Sequence, residues 1–344
     1  MNDVTGYYQI SVHPSNINIW YTSLLPRRRP YRLTWDNDES HVSPSSLPEQ
    51  FINNKHQGRV SPIAAKKITR AIDYLVYLAQ PKKLPHTLHG KGLKWKVNIV
   101  TLTLASTQIH SDNEIKSHLL EPFLNSCRQK WQITNYIWRA EKQKNGNLHF
   151  HLITDKFIPW NELRNVWNRH QQRLQYVTRY REHQITWHDK GFRFRPELAK
   201  DWPLSKQRNA YEAGVVHDWN NPNSTDVHSL RRINNVRAYF IKYMTKQSQS
   251  GNIDGRLWGC SSSLVNLKGA RNYSYGALEN EIHHLMKHSQ THTYSSEFFT
   301  SVYFPSYLLQ SDSFPELTEL FETYLSLTFP SYRPPGLFDQ LSAG

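Results

Sequence analysis

The stretch AEKQKNGNLHFH (140–151) decides how this chain is read. Asn145-Gly146 separates two runs, NYIWRAE (135–141) and NLHFHLIT (147–154), that read as strands. Asn-Gly is a strong hairpin signal, because glycine takes positive φ with no Cβ to clash. Side chains two apart on a strand share a face. His149 and His151 can therefore offer ring nitrogens to one ion. The register decides what stands opposite them. A three-residue loop, Lys144-Asn145-Gly146 with Gly146 left-handed, pairs Gln143 with Asn147 and sets Glu141 opposite His149. A two-residue Asn-Gly loop shifts the pairing and turns Glu141 to the other face. In the first register two imidazoles and a carboxylate form a mixed nitrogen and oxygen set suited to Mg²⁺ or Mn²⁺, and Gln143 stands beside it in a supporting position. Among 18 histidines in 344 residues a lone His-x-His carries little information, so the hairpin gives this one its weight.

A second constellation lies downstream. INNVRAYFIKYMTKQ (233–247) reads as a helix. Residues four apart stack on one helix face. This pairs Tyr239 with Tyr243, and Lys242 with Lys246 on the neighbouring stripe, and leaves Phe240, Ile241 and Met244 for the core. A phenol ionises near pH ~10 and needs help to attack a phosphodiester at neutral pH. A metal ion on the scissile phosphate and a nearby lysine are two sources of that help. Upstream, KWKVNIVTLTLAS (94–106) is a β-branched, alternating strand with Thr101 and Thr103 on one face.

Taken in order, Thr101-Leu102-Thr103, His149-Phe150-His151 and YFIKYMTK (239–246) resemble the HUH endonucleases. The YxxKYxxK form is similar to the two-tyrosine replication initiators of small single-stranded DNA phages and some bacterial plasmids. GRLWGCS (255–261) resembles a segment that often follows the tyrosine helix in these proteins. The resemblance spans roughly residues 95–260. It implies an α+β fold whose central antiparallel sheet carries the His-Phe-His strand, flanked by helices that include the tyrosine helix. It implies metal ligation by His149, His151 and Glu141, and catalysis by Tyr239 and Tyr243 with Lys242 and Lys246. Thr101, Thr103 and Gln143 would support the site. The implied activity is rolling-circle initiation: nicking of single-stranded origin DNA through a 5′-phosphotyrosine link, a free 3′ hydroxyl, and rejoining. Host DNA polymerase and helicase, in a bacterial host cytoplasm, are the implied partners. HUH transposases and relaxases share this chemistry.

The bulk numbers agree with a nucleic-acid partner. The net charge is +14, and aromatics make up 13% of residues, a combination that suits unpaired bases on a charged backbone. Cys127 and Cys260 form no CxxC motif, and no disulfide scaffold is indicated. The sequence MNDVTGYYQI has no signal-peptide pattern, no apolar run reaches ~18 residues, and no membrane partner is expected. A GxxxxGK[ST] loop is absent, which argues against a fused helicase.

The expected organisation is an N-terminal extension (1–92) with a helix at 64–80, a catalytic domain (93–260), and a C-terminal extension (261–344) with a helix near 315–327. Further helices are expected at 113–131 and 160–174. Residues 175–233 look polar, basic and irregular, broken by Pro196, Pro203 and Pro222. The basic residues from Arg164 to Arg208, with Arg231, Arg232 and Arg237, are candidate phosphate contacts. Trp187, Phe192 and Phe194 are expected to pack in the core. Asp226 and His228 are expected to form a turn, and His284 and His288 to be solvated. Two rival classes remain. An Fe(II) oxygenase would use the same ligand set but leaves the tyrosine helix and the positive charge unexplained. A non-catalytic binding protein would hold DNA without a covalent adduct.

Overall fold

The computed structural model describes residues 6–23, 59–79, 97–228, 236–246, 253–265, 267–272, 275–296, 299–310, 313–329 and 332. Two compact units divide the chain, residues 57–265 and a unit built from both chain ends, 1–56 with 266–344. Both mix helices with antiparallel sheet, so the fold is α+β.

The end-built unit starts with a hairpin, β1 (Gly6–His13) and β2 (Asn16–Ser23), in which Val12 pairs with Ile17. The other unit opens with α1 (Pro62–Ala79) and β3 (Asn98–Leu102). A helix follows in three pieces: α2 (Asp112–Ile115), a π-helical turn over Lys116–Leu120, and α3 (Glu121–Trp131). Ser111 and Glu114 form a capping box at its start, satisfying two backbone N–H groups that would otherwise lack partners. Next come β4 (Tyr136–Lys142), β5 (Leu148–Thr154) and α4 (Trp160–Arg173). The expected irregular stretch instead holds α5 (Tyr176–Trp187), α6 (Leu204–Val216) and β6 (Thr225–Val227). Its helices are weak in sequence because they bury so little: Tyr176 and Val177 on α5, and Gln207 on α6. The tyrosine helix is α7 (Val236–Thr245), and β7 (Trp258–Cys260) closes the unit's sheet.

That sheet runs β6-β3-β5-β4-β7, every pair antiparallel. One face is apolar. Leu102, Ala140, Leu148, Phe150, Leu152 and Trp138 join Phe123 from α3 and Trp167 from α4 in one core cluster. Burying a side chain such as Phe150, fully enclosed here, contributes ~1.5–3 kcal/mol. The other face carries polar residues, and α7 packs near it against α1 and β5, with Phe240 and Met244 buried.

In the end-built unit, β8 (Ala270–Asn272), α8 (Tyr275–Lys287), β9 (His292–Ser295), β10 (Phe299–Tyr303) and α9 (Pro315–Thr328) complete a second sheet, ordered β8-β1-β2-β10-β9. Ile10, Val12 and Ile17 are buried, as are Leu317, Phe321 and Leu325 of α9. Among the described residues no helix is long and apolar enough to cross a membrane.

Candidate active site

The hairpin turn has the three-residue form. Gly146 sits at φ +85°, the Gly146 N–H donates to Gln143 O at 2.9 Å, and the Gln143 N–H donates to Asn147 O at 2.8 Å. Glu141 therefore pairs with His149, and Arg139 with His151. Thr101 pairs with His151 from the other side and with Asp226 beyond it. One row across the sheet thus reads Asp226, Thr101, His151, Arg139.

Glu141, His149 and His151 converge. The two Nε2 atoms lie 3.2 Å apart, and Glu141 Oε2 lies 3.3 Å from His151 Nε2 and 3.5 Å from His149 Nε2. All three side chains are only slightly exposed. Ligands about 2.1 Å from one ion stand about 3.0 Å apart at right angles and about 3.4 Å apart at the tetrahedral angle. The observed spacing fits a shared divalent cation. Burial opposes ionisation of Glu141, but hydrogen bonds from His149 and His151 and the Arg139 charge outweigh it and hold the carboxyl well below its usual range. A carboxylate kept charged beside two imidazoles is the donor set a hard-to-borderline cation uses.

Arg139 is 1% exposed and joins the cluster to the tyrosine helix. Its Nη2 meets Glu141 Oε1 at 3.1 Å, and its Nη1 donates to the Tyr243 carbonyl at 3.1 Å. A buried cation is costly unless paired, so this guanidinium ties α7 to β4.

The two tyrosine rings lie 4.7 Å apart. Tyr243 sets its ring edgewise against His151 at 5.8 Å and His228 at 5.6 Å. The Tyr239 hydroxyl reaches His228 Nδ1 at 3.4 Å. His228 Nε2 in turn lies 2.9 Å from Thr101 Oγ1, which lies 3.1 Å from His151 Nδ1. An unbroken chain of polar contacts therefore runs from the ligand cluster through Thr101 and His228 to Tyr239. Burial, with the neighbouring Tyr243, pushes Tyr239 up to about 12. Burial also lowers the pKa of His228, partly offset by Asp226.

Other candidates take different places. Thr103 lies just past β3, and its hydroxyl donates to the Ser224 carbonyl at 3.0 Å, pinning the approach to β6. Gln143 is half-buried next to the turn, and its side chain makes no hydrogen bond among the described residues. Lys242 and Lys246 are exposed. Arg237 is paired with Asp73 of α1, with Nη2 to Oδ2 at 3.0 Å. Arg231 and Arg232 lie outside the described residues. The expected turn at Asp226 and His228 is a strand edge instead: Asp226 is within β6, and His228 hydrogen-bonds its backbone to Ile99 O and turns its ring to the tyrosines. His284 meets the Phe314 ring at 5.6 Å, more packed than a solvated residue.

Arg139 and His228 are the two site residues that the motifs do not mark. Arg139 had a signal: a lone basic residue in an apolar strand, two positions before Glu141 and so on its face. His228 had none beyond its nearness to the tyrosine helix.

Residues 97–248 match a family described as replication-associated proteins of the ORF2 type. No curated protein and no solved structure shows a significant match to the chain. The matched stretch takes in β3, the β4–β5 hairpin and the tyrosine helix, so the whole polar chain from Glu141 to Tyr239 lies inside the segment that is similar to replication-associated proteins.

Proposed function

We propose that this protein initiates rolling-circle replication as an HUH-type nickase, cutting and rejoining single-stranded origin DNA through a tyrosine. The observation that carries this reading is the convergence of Glu141, His149 and His151 beside a helix bearing Tyr239 and Tyr243. The family match supports the replication context. A divalent cation, Mg²⁺ or Mn²⁺, held by those three residues would polarise the scissile phosphate and stabilise the charge developing on it.

The polar chain then has a direction. With His151 Nε2 among the ligands, its proton sits on Nδ1 and is donated to Thr101 Oγ1. The Thr101 hydroxyl donates to His228 Nε2, which leaves the His228 proton on Nδ1, facing the Tyr239 oxygen. His228 so holds that oxygen and stabilises phenolate character. The help is needed: a phenol at about 12 is ionised in roughly one molecule in 10⁵ at pH 7. In the attack, the Tyr239 oxygen forms a bond to phosphorus and the bond from phosphorus to the 3′ oxygen breaks. The 3′ oxygen leaves with that electron pair and takes up a proton. The strand is then joined to the protein through its 5′ phosphate.

Lys242 and Lys246 offer positive charge on the adjoining stripe. Tyr243, one turn away, provides a second nucleophile for a later transfer. The freed 3′ hydroxyl is a primer for a host polymerase, with a host helicase opening the duplex, in a bacterial cytoplasm. To test the reading, a labelled single-stranded origin oligonucleotide is incubated with Mn²⁺. His149→Ala and Glu141→Ala are expected to cleave about 100-fold more slowly or worse, since several kcal/mol of charge stabilisation is lost. Their DNA affinity should change little. Alanine variants that cleave at the wild-type rate would overturn the assignment.

A further inference from the structure

Between α4 and β6 the chain inserts α5, a short 3₁₀ turn (Pro196–Leu198) and α6. These enclose a cleft of about 470 Å³, within the roughly 300–1,000 Å³ range of pockets that take small organic groups. One wall is aromatic. His188 and Trp219 stack at 5.1 Å with 3° between their planes, and Tyr211 sits against His188, Trp219 and Phe192 at 4.8, 5.9 and 5.6 Å. The rim is cationic, from Arg164, Arg193 and Arg195, and no carboxylate lines the cleft. Arg193 is paired with Asp189, but Arg164 and Arg195 have no acidic partner among the described residues. Each of these two lies over a tryptophan ring, Trp160 at 4.8 Å and Trp187 at 4.6 Å.

The cleft is held in shape. Gln207, buried on α6, accepts from the Arg195 N–H at 2.8 Å and donates to the carbonyls of Arg195 at 2.9 Å and Trp202 at 2.7 Å, clamping the loop to the helix. Asp218 and Trp219 are both left-handed, at φ +47° and +57°. This conformation costs roughly 1–2 kcal/mol per non-glycine residue, and such strain gathers at functional sites. Arg181 fixes Asp218 with two contacts to Oδ2, at 2.9 and 2.5 Å. Gly214 allows the Trp219 ring to lie on α6, since a Cβ there would collide with it.

A planar π wall under a ring of unpaired guanidinium groups suits a flat, anionic, aromatic ligand. We infer that this cleft binds an unpaired nucleotide of the single-stranded DNA, its base against the aromatic wall and its phosphate at Arg164 and Arg195. The inference rests on the proposal that the substrate is a single strand, and it adds a base-holding site apart from the tyrosines. It gives no base preference, because every base has a π face.

The test uses the full-length protein in EDTA, so no cleavage intervenes. Fluorescence polarisation compares a labelled 20-nucleotide oligothymidylate with an abasic 20-mer of equal phosphate count. Phe192→Leu keeps apolar bulk and removes the ring, and Phe192→Ala is its partner, with melting curves establishing that both remain folded. The expected result is roughly a tenfold loss of affinity for the oligothymidylate, on the scale of one lost stacking contact, with no loss for the abasic strand. Arg195→Ala should weaken both strands and reduce the salt slope by about one phosphate contact. Oligothymidylate binding by Phe192→Leu within twofold of wild type would overturn the inference. So would an equal loss on both strands. Failure to form a covalent adduct in Mn²⁺ would sink the nickase reading and leave this binding result standing.

Discussion

Thr101→Val retains the β-branched shape on β3 and deletes one oxygen. That oxygen lies 3.1 Å from His151 Nδ1 and 2.9 Å from His228 Nε2. Its removal leaves two partly buried ring nitrogens without their partner. Each lost hydrogen bond is worth about 0.5–1.5 kcal/mol net, so the pair amounts to roughly 1–3 kcal/mol. Losing the partner that orients a metal-ligating histidine independently weakens ion affinity by about 10–100-fold, or roughly 1.4–2.7 kcal/mol. The two routes agree. A Mn²⁺ titration followed by electron paramagnetic resonance should therefore show a Kd raised by about 10–100-fold. His228 loses its anchor as well, so the rate of protein–DNA adduct formation should stay depressed even at saturating Mn²⁺. Valine suits a strand as well as threonine does, and the melting temperature should move little. Thr101→Ser should restore most of both readouts. Mn²⁺ affinity and saturated adduct rate that both remain within twofold of wild type would refute the directed chain from His151 to Tyr239.

Three further outcomes follow from other parts of the structure. His170 is buried, with Nε2 2.9 Å from Ser126 Oγ, and burial, then the charges of Arg173 and Arg169, depress its pKa to about 4. The unfolded chain, with histidine near 6.5, takes the proton first as the pH falls, so stability present above pH 6.5 is lost towards pH 4. Urea unfolding should give about 2 kcal/mol less stability at pH 5 than at pH 7 from this group, and His170→Gln should remove that difference; a wild type equally stable at both pH values contradicts it. Gly146→Ala meets nothing within 4 Å but must keep φ near +85°, so it should cost ~1–2 kcal/mol by backbone strain alone while leaving Mn²⁺ binding intact. Loss of Mn²⁺ binding in the folded variant would show that the turn tolerates no such change. Asp112 accepts from Lys142 at 2.5 Å, from the Gln108 amide at 2.8 Å and from the Asp254 N–H at 3.1 Å. Asp112→Ala strands the Lys142 ammonium and should cost about 3–5 kcal/mol by chemical denaturation; less than 1 kcal/mol would mean solvent replaces the partner.

How far the sequence reached depended on how local each signal was. The β4–β5 hairpin was legible because Asn145-Gly146 encodes its own turn, and the turn geometry then fixed Glu141 opposite His149. The register itself was not encoded unambiguously: two- and three-residue loops were both open, and the observed φ of Gly146 decides between them. Helices with an apolar stripe, 160–174 and 64–80, were read to within two residues of α4 and α1. Helices α5 and α6 went unread because they bury almost nothing, and the same exposure leaves Phe194 43% accessible where core packing was expected. The strand expected over 94–106 pairs only at 98–102, since the chain leaves the ladder once β5 and β6 end. The end-built sheet was illegible for a different reason. β2 pairs with β10, nearly the whole chain away, and no local pattern records such a partner. His228 belongs to this class, meeting Thr101 across 127 residues.

The central claim is that a tyrosine of α7 becomes covalently joined to DNA. It is tested most directly by incubating the protein with a single-stranded origin oligonucleotide and Mn²⁺, digesting the product, and locating the nucleotide-bearing peptide by mass spectrometry. The account predicts a peptide from the 236–245 helix carrying a 5′-phosphate-linked nucleotide on Tyr239 or Tyr243, abolished in the double variant Tyr239→Phe/Tyr243→Phe. Cleavage without any adduct, or an adduct undiminished in the double variant, would contradict it.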